Sequence, residues 1–217
     1  MVVAIGLNVR RWWRERMARD ELRDDCVNGL RQASEALGLS PPTPSQDGAL
    51  RPQYVCRGSI HGLPAELVIG GSAWHSAVVI VHVVAAGLPS QLHICRRPAG
   101  RGVEDFSLGA AVNSGMAAFD RHYCLYGSST CSGDALKREA TRVPPTLLDF
   151  AASHFDPSAN IVMSATELLL SPAGPSLPWT RESSIRSPQF REVLVALWHR
   201  AERLVKDGIE AGALLAA

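Results

Sequence analysis

One stretch in the first half of the chain, residues 53–97, most constrains the fold, because it carries four short apolar segments separated by turn residues. Tyr54–Ile60 and Pro64–Ile69 flank His61-Gly62-Leu63, a short glycine-containing connection that is typical of a β-hairpin. Ser76–Val84 is dense in β-branched residues, which predicts a central strand covered on both faces. The stretch therefore favours a β-sheet over a helical bundle.

The fourth segment, Gln91–Arg97, alternates cleanly between apolar and polar positions. This alternation places Leu92 and Ile94 on one face of a strand and His93 and Cys95 on the other. Four consecutive short strands joined by tight turns predict an antiparallel meander.

Helical patterns lie on both sides of this strand region. Residues 1–39 form a predicted N-terminal helical segment, and Gly38 supplies its C-terminal stop. Its apolar stripe recurs at three- and four-residue spacing and comprises Leu22, Cys26, Leu30, Ala33 and Leu37. Residues 40–52 are rich in Pro, Ser and Gly and predict a linker. We expect residues 53–207 to form one globular domain and residues 208–217 to be a frayed tail.

The second half of the chain mixes short strands with helices. Arg121–Tyr126 is a predicted strand, and the helical pattern of 135–154 is divided by Pro144-Pro145. Two further short strands, 161–163 and 167–170, precede an amphipathic helix that opens at Ser187-Pro188. The apolar face of that helix comprises Phe190, Val193, Leu194, Leu197, Ala201, Leu204 and Val205. The predicted fold class is α+β: a mainly antiparallel sheet with long N-terminal and C-terminal helices packed on it.

Composition excludes some functional classes. The 217-residue chain has 22 Lys and Arg against 21 Asp and Glu, so it has no global field to attract nucleic acid. Its five cysteines contain no CxxC pair, and its N-terminus lacks the pattern of a secretory signal. No apolar run is long enough for a membrane span. We therefore expect a cytoplasmic protein that binds no nucleic acid and needs no cofactor.

Several short motifs resemble those of an uncharacterised bacterial α/β protein family. They are Arg57–Ile69 (RGSIHGLPAELVI), Leu92–Pro98 (LHICRRP), Glu104–Gly109 (EDFSLG), Ala118–Ser128 (AFDRHYCLYGS) and the closing amphipathic helix. The resemblance covers about Pro52 to Val205. It implies the order hairpin, strand ending in arginines, strand, helix, two strands and helix, and it implies no activity and no functional residues.

Two copies of a His-x-Cys pattern, His93-Ile94-Cys95 and His122-Tyr123-Cys124, are the strongest candidates for a chemically active site. Residues two apart in a strand share a face, so each pattern presents an imidazole beside a thiol. If the two strands are neighbours, His93, Cys95, His122 and Cys124 form a ligand set suited to zinc. The alternative is that the thiols are ordinary core residues, since cysteine is among the most buried residue types.

The N-terminal segment pairs two indoles with four arginines. Its candidate partner-binding residues are Arg10, Arg11, Trp12, Trp13, Arg14 and Arg16. Trp and Arg dominate the energetic centres of protein interfaces, which favours a protein partner or a homo-oligomer. The alternatives are packing on the protein's own core and binding to an anionic membrane surface.

With no phosphate-binding loop and no hydrolase motif in the sequence, the first hypothesis is a non-catalytic binding, adaptor or structural subunit that acts through protein–protein contacts. The first alternative is a thiol- or zinc-dependent enzyme that uses the His-x-Cys strands. The second alternative is a peripheral membrane protein that uses the N-terminal Trp/Arg segment.

Overall fold

The fold was analysed in a computed structural model that describes residues 23–45, 53–70, 78–86, 88, 92–97, 111–127, 133–172 and 189–216. The strands are β1 Thr43–Ser45, β2 Gln53–Ile60, β3 Leu63–Gly70, β4 Val78–Ala86, β5 Leu92–Arg96, β6 Ala111–Val112, β7 Tyr123–Gly127, β8 Ala159–Met163, β9 Glu167–Pro172 and β10 Leu215–Ala216. The helices are α1 over 23–37, α2 Ala117–Asp120, α3 Gly133–Ala140, α4 Pro145–Ser153 and α5 Gln189–Glu210.

The chain divides into two compact units. Unit 1 comprises Met1–Arg57, Leu67–Val79 and Pro175–Ala196, and unit 2 comprises Gly58–Glu66, Ile80–Gly174 and Leu197–Ala217. Strands β2 and β3 and helix α5 contribute residues to both units. The predicted boundaries of the linker and of a globular domain at 53–207 stay predictions.

In unit 1, helix α1 buries the apolar stripe that its spacing predicts. Cys26, Leu30 and Ala33 are fully buried, and Gly38 adopts a φ of 67° where the helix ends. The left-handed conformation at that position favours glycine, which explains the stop. Gly29 lies so close to Phe190 that a Cβ there would be 2.5 Å from the ring.

A short strand lies inside the region predicted to be a linker. Thr43–Ser45 pairs antiparallel with the beginning of β2, and the Ser40 amide donates to the Arg57 carbonyl at 2.8 Å. Pro44 cannot donate a ladder hydrogen bond, but an edge strand tolerates this loss. A proline-rich composition therefore did not predict this strand, which lies at the edge of the sheet.

The predicted hairpin between β2 and β3 is confirmed. Its two central residues, His61 and Gly62, have φ values of 50° and 84°. Positive φ at both positions defines the type I′ turn, whose twist matches that of antiparallel strands.

The strands of the sheet lie in the order β1-β2-β3-β4-β9-β8-β5-β7-β6, with β10 also on β4. The pairings β4–β9, β9–β8, β8–β5, β5–β7, β7–β6 and β10–β4 are antiparallel. The predicted meander of four strands is therefore wrong after β4, because β9 and β8 lie between β4 and β5. Turn residues specify local pairings, but they do not specify which distant strand takes the free edge of β4.

Strand β4 is central, as predicted, but it is not covered on both faces. Val81, Val83 and Ala85 are buried, whereas His82 and Val84 are half-buried. The alternation shows that one face meets the core and the other is partly open to solvent.

Helices of unit 2 begin and end close to where the sequence predicts. Pro144 and Pro145 separate α3 from α4, and Pro145 is the first residue of α4. The expectation of a frayed tail is wrong, because α5 continues through Glu210 and Leu215–Ala216 pairs with β4. Ala213 and Leu214 are buried, and this apolar contact keeps the C-terminal turn ordered. The α+β fold class, with a large antiparallel sheet and N- and C-terminal helices, is confirmed.

Candidate functional site

A charged recess in unit 2 is the candidate site. The C-terminal end of α4, the turn that follows it and the second half of α5 enclose a pocket of about 240 Å³. We call it the charged recess, and its lining residues are His154, Asp156, Arg200, Arg203, Leu204 and Asp207. The four residues from α5 are three or four positions apart, so they share one face of the helix.

The first ion pair of the charged recess joins Arg200 to Asp156. The backbone amide and the hydroxyl of Ser158 each donate to the Asp156 carboxylate at 2.6 Å. These hydrogen bonds, with the Arg200 guanidinium as a smaller cause, lower the pKa of Asp156 below its usual value. The Ser158 hydroxyl also accepts from Arg200 at 3.3 Å. The turn that leads into β8 is thus held to α5 by an anionic carboxylate.

The second ion pair joins His154 to Asp207, with 3.1 Å between Nε2 and a carboxylate oxygen. The other ring nitrogen, Nδ1, lies 2.9 Å from the Phe150 carbonyl oxygen. The Ser153 hydroxyl lies 3.1 Å from the same nitrogen, so three groups fix the orientation of the ring.

Arg203 contributes a positive charge to the charged recess. Its side chain is exposed, and within the part of the chain that the structure describes it has no carboxylate partner. The two carboxylates of the recess are matched by His154 and Arg200, so Arg203 is left with five unmatched donors that face outward. An arginine fork of this kind binds a carboxylate through two parallel hydrogen bonds.

None of the residues of the charged recess was predicted to be functional, and Leu204 was expected only as part of an apolar helix face. A signal was nevertheless present, because Arg200, Arg203 and Asp207 recur at helical spacing on the polar side of a predicted amphipathic helix. Asp156-Pro157-Ser158 is also a typical turn sequence. What the sequence lacked was the long-range contact that places this turn beside α5.

The two predicted thiols come together. Cys95 on β5 and Cys124 on β7 are directly opposite each other, and the Cys124 Sγ lies 3.8 Å from the Cys95 carbonyl oxygen. Both are buried and pack with Tyr126 in one cluster. Burial raises the pKa of the Cys95 thiol to about 12, and the neighbouring Cys124 adds to the effect. A thiol of this kind is protonated at neutral pH, so it does not suit a catalytic nucleophile and exchanges with a disulfide only slowly.

The two histidines of the predicted zinc set lie in different surroundings. His93 is opposite Tyr126 in the β5–β7 register, and the His122 ring stacks on Phe155 with 3.8 Å between centroids. The described residues contain no group of three or more His, Cys, Asp or Glu side chains that could hold a metal ion. The zinc site formed by His93, Cys95, His122 and Cys124 stays a prediction.

His82 belongs to a separate cluster on β4. Its Nδ1 lies 3.7 Å from a Glu66 carboxylate oxygen, and its Nε2 lies 3.6 Å from one of Glu167. The two carboxylates approach opposite nitrogens of one ring, and a single metal ion binds only one nitrogen of an imidazole. This cluster therefore places the His82 ring between a carboxylate of β3 and a carboxylate of β9.

The predicted partner-binding residues Arg10, Arg11, Trp12, Trp13, Arg14 and Arg16 lie outside the described residues. None of the described helices is both long enough and apolar enough to cross a membrane. The cytoplasmic location stays a prediction from the sequence.

No protein-family model matches the chain, and no curated protein matches it in sequence. Among solved structures, the chain is similar to the mycobacterial trehalose monomycolate transport factor A, TtfA. The two share 12% sequence identity over 82% of this chain and 94% of that chain, with a TM-score of 0.44. At this TM-score the similarity supports no argument about function.

Proposed function

We propose that this chain is a non-catalytic binding or adaptor protein that acts through protein–protein contacts, and that the charged recess is one of its contact surfaces. The observation that carries the proposal is the unmatched guanidinium of Arg203 beside two satisfied ion pairs. The paired groups hold the surface in place, and the spare cation gives it a preference for a partner of opposite charge.

The partner chemistry follows from the charges and the size of the recess. A pocket of about 240 Å³ is smaller than the roughly 300–1,000 Å³ that small-molecule sites usually occupy. It is large enough for one side chain of another protein. The carboxylate of an Asp or Glu side chain would meet Arg203, while Leu204 supplies an apolar floor beneath it.

The test compares Arg203→Glu with Arg138→Glu. Arg138 is an exposed residue of α3 whose side chain makes no ion pair with the described residues, so it is a matched control for charge and exposure. Wild-type and variant proteins are crosslinked in the source cells, and recovered proteins are quantified by mass spectrometry. We expect a protein whose recovery falls at least tenfold with Arg203→Glu, and whose crosslinked peptide carries an Asp or Glu next to the recess.

Unchanged recovery of every crosslinked protein with Arg203→Glu would contradict the proposal. Circular dichroism and urea denaturation show in advance that the variant is folded. A crosslink between two copies of this chain at the same site would identify the partner as a second copy, which is also a protein contact.

The N-terminal Trp/Arg segment remains a second proposed docking element, on the strength of its composition alone. Deletion of residues 1–22 tests it, because this deletion keeps the whole of the described part of α1. A longer deletion would remove the buried residues Cys26, Leu30 and Ala33 and would confuse lost binding with lost folding. Loss of a partner with this deletion, but not with Arg203→Glu, would assign that partner to the N-terminal segment.

A further inference from the structure

We propose that Cys95 and Cys124 form a redox site: a cross-strand dithiol that closes reversibly to a disulfide by exchange with a small-molecule disulfide. The proposal is independent of the charged recess. It assigns a covalent modification to two thiols that a binding function does not use.

The strand register supports it. Cys95 and Cys124 are direct partners in the antiparallel β5–β7 pair, and the Arg97 amide donates to the His122 carbonyl at 2.7 Å. That bond makes Arg97 and His122 a hydrogen-bonded pair, and the alternation along the ladder makes Cys95 and Cys124 another. Such pairs have Cα atoms about 5.5 Å apart, which is within the range of about 4.4–6.8 Å found in disulfides.

The same register predicts that the disulfide is strained. Opposed residues of an antiparallel pair have Cβ atoms about 4.5–5.5 Å apart, whereas disulfides need about 3.5–4.5 Å. Closing the bond therefore draws β5 and β7 together locally. A bond held under strain is reduced more easily than a relaxed structural disulfide. The site is thus suited to reversible oxidation.

Access decides the order of the two steps. Both residues are buried, but Cys95 is 8% exposed and Cys124 is 1% exposed, so Cys95 is the thiol that local opening of the strand pair uncovers first. Its proton passes to solvent, and the thiolate attacks one sulfur of the small disulfide and releases one small thiolate, which takes up a proton. The Cys124 thiol gives up its proton and attacks the Cys95 sulfur of the mixed disulfide, which releases the second small thiolate to be protonated. One small disulfide is reduced to two thiols, and the two protein thiols are oxidised to one disulfide.

The surroundings of the pair favour the intramolecular second step. Tyr126 packs on both thiols, and the partly buried Ala111 and Val162 lie against the same cluster. A second small disulfide has no room to reach Cys124 there, whereas Cys95 is already its neighbour. The mixed disulfide is therefore resolved within the protein.

The experiment incubates the reduced, folded full-length protein with oxidised glutathione and then blocks free thiols with an alkylating reagent. We expect Cys95 and Cys124 to escape alkylation, with a crosslinked peptide that joins them and weighs two hydrogens less than the sum of its two reduced parts. We also expect mild dithiothreitol to reduce this bond at least tenfold faster than the disulfides of a secreted reference protein. Cys95→Ser should abolish the crosslink, and Cys124→Ser should trap stable glutathione on Cys95.

Two results would overturn the proposal. One is the absence of the crosslinked peptide from folded protein under conditions that oxidise a small dithiol completely. The other is a crosslink that forms only when urea is present, because it would belong to the unfolded chain. Cys26→Ser and Cys56→Ser are the controls, since both are buried thiols outside the pair and neither should change the result.

Discussion

The charged recess and the Cys95–Cys124 cluster both belong to unit 2, but they differ in the exposure and the charge of their polar side chains. In the recess, the His154 and Asp207 side chains are 31% and 46% exposed, and charges pair with one another. In the thiol cluster, the side chains are buried and neutral. Water solvates the unpaired cation Arg203 at the recess, so its charge is tolerated there. The core would not tolerate it, because a buried unpaired charge is far more costly.

The titrating groups of the two regions show the same contrast. Hydrogen bonds from Ser158 lower the pKa of Asp156, which favours its charged form. Burial raises the pKa of Cys95, which favours its neutral form. A chemically active residue in this protein is therefore recognised by its surroundings. The pattern of neighbours in the sequence does not reveal it.

The largest effect on the free energy of unfolding is expected in the buried Cys95–Cys124 cluster. Tyr126 is fully buried against both thiols, so Tyr126→Ala should lower the free energy of unfolding by about 3–5 kcal/mol, as for other large-to-small core substitutions. Urea denaturation measures it. The matched control is Tyr54→Ala on β2, a half-buried tyrosine that should cost less. Equal losses for the two variants would mean that the thiol cluster is not a distinct core region.

A smaller effect should appear in alkaline solution. Because the folded-state pKa of Cys95 is raised from 9.0 to about 12, its neutral thiol stabilises the fold fully below pH 9. Above that pH the unfolded chain loses a proton that the folded chain keeps, so stability falls as pH rises. Cys95→Ala should remove about 1 kcal/mol of this loss by pH 10. Parallel stability curves for wild type and variant between pH 7 and 10 would refute the expectation.

The recess predicts the reverse dependence on pH. A lowered folded-state pKa for Asp156 means that its contribution to stability is present at neutral pH and is lost as pH falls below about 4. Asp156→Asn should therefore destabilise the protein at pH 7, and this deficit should shrink as the pH falls below about 4. Since the ion pair is partly exposed, we expect less than about 1 kcal/mol at neutral pH. A deficit that stays constant from pH 7 to 3 would show that the charge is unimportant.

The smallest effect on the free energy of unfolding is expected from substitution of Arg203. Arg203 makes no ion pair with any described residue, so Arg203→Ala should change the free energy of unfolding by no more than about 0.5 kcal/mol. Thermal unfolding of wild type and variant measures this difference. A loss above about 1 kcal/mol would give Arg203 a structural role and weaken its assignment to partner binding.

Local features of the fold could be predicted from the sequence, and distant contacts could not. The α1 stripe, the β2–β3 turn and the division of α3 from α4 all depend on residues within a few positions of one another. The position of β8 and β9 between β4 and β5 depends on pairing across more than 65 residues, and no local pattern encodes it.

The candidate sites also differ in whether they depend on local or on long-range contacts. The His-x-Cys repeat predicted which face of its own strand each thiol lies on, because the period of two in a strand is a local property. That β5 and β7 are neighbours was only a condition of the predicted zinc site, and the pairing is a finding of the structure. The charged recess was missed because it forms only when the turn at Asp156 meets α5, more than 40 positions away in the chain. Helical spacing alone could indicate one half of it.

The interleaved strand order also has a consequence for synthesis of the chain. While residues 159–172 are still being translated, β4 and β5 have no partner on the edges that β9 and β8 will occupy. Unpaired edges rich in valine and isoleucine are templates for pairing with other chains. We therefore expect the nascent protein to need protection by a chaperone until β9 docks on β4. Slow codons placed just before residue 159 should lower its soluble yield.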